Sequence, residues 1–310
     1  MKFLTKLKLL IIVFVALGII AYYYMHSKII QQESLDKILP KEMRDISLEC
    51  WIREFIFNHS YDLSEQMRNY SIKITWFSNE SLESNINLLR KELEEAFISK
   101  NVDVISFTIF SSELNLIESL YAANKELILK NTENCQKTKW NPEEVNILLI
   151  NTQLISHEAT QMFFISNLAK KYYNKSDEFI KNIKRIALES KNTLPPYEEV
   201  NLPKCYSTYT YIYLKRFEKE LRKQLDNVND PFSIWWKVAQ IKVLDKCSKK
   251  LYEWYEDLER KGIHCQSTLS EANATSFVIN ANTILSSVYS SSQLEEERIL
   301  EKELEESLGY

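Results

Sequence analysis

The stretch "ISHEATQMF" sets a histidine beside a glutamate, His157 and Glu158. A helical metalloprotease site needs a second histidine four residues after the first, so that two imidazoles share one face. Gln161 occupies that position, and one imidazole cannot replace the pair. Metal-dependent hydrolysis is therefore disfavoured, and both residues read as polar helix positions. His264-Cys265 puts an imidazole next to a thiol, but catalytic Cys–His pairs meet across a fold and rarely as chain neighbours. That dipeptide reads as a surface loop or a disulfide partner. The acidic pairs Glu94-Glu95 and Glu143-Glu144 read as solvated faces or first-turn charges. No acid stands in an apolar surround, as a glycosidase-type general acid requires. No catalytic, cofactor-binding or metal-ligating residue is assigned, and no cofactor is expected.

Cysteines stand at Cys50, Cys135, Cys205, Cys247 and Cys265, with no two closer than eighteen residues. That spacing writes no zinc ribbon. In an oxidising compartment they form up to two disulfides and leave one thiol over; buried free thiols are the competing reading. Five N-x-S/T sequons (Asn58, Asn69, Asn79, Asn174, Asn273) carry little weight in a chain this rich in Asn, Ser and Thr. Aromatic residues crowd between Tyr206 and Tyr255. Most fit helical stripes and core packing, but Tyr211, Trp235 and Trp236 cannot all share one stripe. These three are the candidate partner surface.

The elements that must position such groups are limited by glycine. The chain of 310 residues has three, Gly18, Gly262 and Gly309, where an average chain of this length holds about twenty. Turns that need φ > 0 are thus scarce, which argues against sandwiches, barrels and doubly wound sheets. The same scarcity removes phosphate-cradling loops, dinucleotide fingerprints and nucleophile elbows, each of which needs two or more glycines. Net charge is −4, and the last seventeen residues hold seven glutamates against Arg298 and Lys302. Nothing in that distribution is a footprint for nucleic acid.

Leu9 to Met25 carries no formal charge, and as a helix it is about 25 Å long, enough for the thinner end of a bilayer. Lys2, Lys6 and Lys8 precede it, which places the N-terminus in the cytoplasm and the rest outside. The tyrosines at 22, 23 and 24 suit the far interface. A signal peptide cleaved after "ALG" (Ala16 to Gly18) is the competing reading, although the apolar run passes through that site. The expected organisation is a cytoplasmic stretch over 1–8, a transmembrane signal anchor over 9–25, an extracytoplasmic helical domain over 26–290, and an acidic helix or tail over 291–310.

The expected fold is mainly α, a multi-helix bundle outside the membrane with one N-terminal transmembrane helix. Apolar spacing predicts helices near 42–58, 82–98, from 113 onward, 141–173, 177–190 and 230–261. Alternation at Ile72, Ile74 and Trp76, and again at Ile105, Phe107 and Ile109, allows a small strand–helix–strand element around 70–111. A wholly helical reading of the same stretch stays open. The helix opened by Asp230-Pro231 carries two apolar stripes and belongs at the centre of the bundle. Functionally, the expectation is a non-enzymatic, single-pass membrane protein whose outer helical domain binds another protein, as an envelope assembly component or an inhibitor. A hydrolase of envelope polymers, using an unidentified Asp or Glu, is the alternative.

Overall fold

Helix starts follow from side chains that can cap. Ser47, Ser81 and Asp103 each accept from a backbone N–H two or three residues ahead. Asn141 forms a capping box with Glu144, with a proline at the start of the helix, and Asp230 accepts from Ser233 N–H at 2.8 Å. The structure is a computed structural model that describes residues 45–72, 74, 81–129, 135–136, 140–263 and 271–310. Among the described residues the protein is built from α-helices and contains no strand; a single isolated bridge joins Ile46 and Gln136. The helices are α1 (Leu48–Asn69), α2 (Leu82–Ile98), α3 (Val104–Ile128), α4 (Pro142–Lys171), α5 (Ser176–Asn192), α6 (Tyr209–Leu225), α7 (Pro231–Arg260) and α8 (Glu271–Leu308).

Helix ends repeat one device. At Ser71, Lys100, Gly262 and Gly309 the backbone enters the left-handed region, with φ of 63°, 57°, 73° and 77°. In each case the next N–H reaches back to the last turn: Ile72 to Met67 O, Asn101 to Ala96 O, Ile263 to Leu258 O and Tyr310 to Glu305 O. This is the usual helix stop, but two of the four lack the glycine that makes it cheap.

α7 is the central helix, packed on α3, α5, α6 and α8. From Phe232 to Leu244 nearly every side chain is buried, which is what two apolar stripes demand. α3 is the second interior helix, held by α1, α2, α4, α6 and α7. Polar pairs fix the registers. Asn124 and Asn151 exchange hydrogen bonds between α3 and α4, with the Tyr213 hydroxyl of α6 donating to both side chains. Asn146, Thr210 and Asn282 do the same for α4, α6 and α8.

The bundle has two distinct ends. Residue 45, the start of α2 and the ends of α3 and α7 lie at one, as Tyr121 donating to Glu83 shows. The start of α3, the ends of α1, α2 and α4, and the start of α5 lie at the other, where Phe97 stacks on Phe107 and Tyr70 meets Phe110 edge-on. α1 alone spans about 33 Å between them.

Three expectations change. Residues 104–110 are helical: Ile105 and Ile109 are partly covered and Phe107 is fully buried, because α3 is enclosed on most of its circumference. Alternating apolar residues then mimic a strand. Ile72 and Ile74 are buried but not in a strand, and residues 73 and 75–80 lie outside the described ones. α8 runs unbroken across the expected boundary at 290–291 and buries Leu300, Leu304 and Leu308. The anchor over 9–25 and the flanking segments 1–8 and 26–44 lie outside the described residues. No helix among those described is long and apolar enough to cross a membrane.

Candidate functional site

The most concentrated charge in the molecule is internal. Arg90 of α2 uses all five of its donors: Nε and Nη2 to Glu118, Nη2 to Asn115, and Nη1 to Asp230 and Ser233, at 2.7–2.9 Å. Lys237 of α7 donates to Glu118 at 2.7 Å and to Gln224 at 3.0 Å. Burial alone would push the Glu118 carboxyl up, but Arg90 and Lys237 overcome it and hold the group at about 2. Burial would lower Arg90 too, and the same two carboxylates hold it above its ordinary value. For Lys237 burial prevails over Glu118 and the ammonium is lowered. Two cations face two anions, so the cluster offers no spare charge to a ligand. Its chemistry is that of a fastening between α2, α3, α6 and α7.

A cleft of about 560 Å³ opens above it between α2, α3 and α6. Lys125 on its rim is paired with Glu83 at 2.7 Å and Lys223 with Glu220 at 2.5 Å, so the walls are as neutralised as the floor.

A second cleft, of about 600 Å³, lies at the end remote from residue 45. Phe97, Ile98, Val102 and Val104 come from the α2–α3 turn, and Tyr173 and Ile180 from the α4–α5 turn. Ile98 is 76% exposed and Tyr173 52% exposed, so an apolar strip faces solvent where the polar groups are only Lys100, Asp103, Asn174, Ser176 and Asp177. Lys100 and Asp177 approach only to 3.9 Å, both well exposed, which adds little.

A third constellation lies between α4, α7 and α8. Glu158 is 5% exposed, beside Trp236, Tyr289 and Gln240. Burial pushes its carboxyl well above 4.5. Glu113 on α3 is also raised, to about 7, by burial and then by Asp62 across on α1. Glu113 lines neither cleft. Glu113 carries no signal in the sequence, and Glu158, a polar helix position by its spacing, is an interior one.

The candidate partner residues are likewise interior. Tyr211 is 4% exposed and its hydroxyl accepts from Val200 N–H; Trp235 and Trp236 are 3% and 2% exposed. They do not share a stripe because the helices carrying them are covered on more than one side, so this surface is not open to a partner. Cys50 and Cys135 are bonded, with Cα atoms 5.7 Å apart, and Cys205 is also disulfide-bonded. Cys247 is a buried free thiol pushed up to about 12 by burial. Cys265 and His264 lie outside the described residues. Among those described, no group of three His, Cys, Asp or Glu side chains could hold a metal ion. Comparison with protein-family models, with curated proteins and with solved structures returns no match for this chain.

Proposed function

We propose that this chain is a non-enzymatic, single-pass membrane protein whose helical domain, carried outside the membrane by the segment 9–25, binds another protein through the cleft at its far end. The observation that carries the reading is the pair of exposed apolar side chains, Ile98 and Tyr173, flanking an open cleft of about 600 Å³. Large apolar groups gathered at one place on a surface are a mark of contact. The cleft lies about a helix length from residue 45, the first described residue after the segment 9–25. The Cys50–Cys135 and Cys205 disulfides support an oxidising location for the domain.

A photo-crosslinking residue at position 100 or 177, both exposed on the rim of the cleft, in the full-length protein in its own cells is expected to capture one defined protein. The same residue at Glu126, on the opposite end, should not. The double variant Ile98→Asp with Tyr173→Asp should lose the capture while keeping its melting temperature. Equal capture from both ends, or capture unaffected by the double variant, contradicts the reading.

The alternative, a hydrolase of envelope polymers, draws on one observation, the Glu113 carboxyl held at about 7 beside Asp62. A general acid must also face a substrate, and Glu113 lines neither cleft, so binding is the better supported function. Turnover of a wall polymer that disappears in Glu113→Gln would reverse that order.

A further inference from the structure

Between Val278 and Leu304 the buried face of α8 mixes Ala281, Leu285, Tyr289 and Leu300 with the polar Asn282, Ser292, Gln293, Glu296 and Glu297. Where this face meets α4, buried polar atoms are left without hydrogen-bond partners: Gln153 Oε1, Glu158 Oε2 and Asn282 Oδ1. Each costs the loss of its hydration, and each would regain water if α8 moved away. α8 is thus held less firmly than an apolar seam of equal area would hold it.

Proton positions in the seam follow from its donors. Gln240 Nε2 donates to Gln161 Oε1 at 2.9 Å, so its Oε1 faces Tyr289 and accepts the tyrosine's one proton. Tyr289 then has no proton left for Glu158, whose Oε2 is buried without a hydrogen-bond partner, a setting that suits a neutral carboxyl and not an anion. We propose that Glu158 is a proton-binding site that latches the C-terminal helix: neutral, it lets α8 dock, and ionised, it loosens α8.

The groups facing Glu158 give its anion less support than burial takes away. On α4, the His157 ring packs on Tyr289 at 4.5 Å, and burial lowers it toward the neutral form. On α7, the Lys237 ammonium is committed to Glu118 and Gln224, while Trp236 supplies one neutral donor. On α8, Glu297 is a like charge, itself raised by burial. The sign is fixed: a carboxyl raised above 4.5 in the docked state favours docking below that pH, and the favour is lost as pH rises toward the docked value.

Cys247 of α7 reports the opening, being fully buried and near enough to Tyr289 to interact with it. N-ethylmaleimide is applied to the full-length protein between pH 6 and 9, and the Cys247 rate is divided by that of the urea-unfolded protein at the same pH. The ratio is expected to rise by up to about tenfold per pH unit in the wild type and to stay flat in Glu158→Gln. Amide hydrogen exchange over residues 281–297, taken relative to α7, should follow the same slopes. A flat ratio in the wild type, or an equal slope in Glu158→Gln, overturns the proposal.

Discussion

Glu113 shows what one residue can do to the pH dependence of the whole. Its carboxyl sits at about 7 because burial, then Asp62, disfavours the anion. The folded value exceeds 4.5, so its contribution is complete below 4.5 and is lost as pH climbs through 7. Glu113→Gln is expected to match the wild type at pH 4 and to exceed it by about 2 kcal/mol at pH 8, allowing for its partial exposure. Urea unfolding at the two pH values measures this; equal curves at pH 8 would show that Glu113 is not raised. At this scale little was legible in the sequence. Arg90, Glu118 and Lys237 are single charges inside apolar stripes, and their partners stand 28 to 140 residues away. A charged letter within a stripe reads as an interruption until packing supplies its counter-ion. Glu158 was hidden for the same reason, since burial on α4 is decided by α7 and α8 and not by its neighbours in "SHEAT".

Elements were far more legible than sites. Pro142 and Asp230 announce their helices through capping rules that act over three or four residues, and both helices begin there. The helix over 82–98 follows from a single apolar face. α3 failed at its start because an enclosed helix has no polar face to set a period, although Asp103, which accepts from Ile105 and Ser106 N–H, is a helix start in plain view. The ends expected at 98 and 261 match Ile98 and Arg260, but the end of α1 at Asn69 was not legible, since Ser71, like Lys100 after α2, does what glycine normally does. That substitution has a cost. Lys100→Gly is expected to raise stability by about 0.5–1 kcal/mol, because φ of 57° strains a side chain with a Cβ and the contact to Asp177 contributes little. Thermal unfolding of Lys100→Gly against Lys100→Ala checks it; the two should differ, with glycine the more stable.

The molecule as a whole is tied at the end where residue 45 emerges. Cys50–Cys135 closes a loop of 85 residues that contains α1, α2 and α3. Cys50→Ser should cost about 2–4 kcal/mol, read from denaturant midpoints. The glycine count made an all-helical body legible, and the central place of α7 followed from its two stripes. The two-ended arrangement was not, because it depends on how eight helices alternate in direction. That arrangement also sets how the protein answers force. The Ser47 N–H bond to Cys135 O and the adjacent disulfide fasten the entry of the chain to the connection between α3 and α4. A pull between residue 45 and the far cleft therefore loads α1 and α3 side by side, in shear along their length. Shear must break many contacts at once, whereas peeling breaks them one turn at a time. Reducing a single covalent bond would convert the first mode into the second.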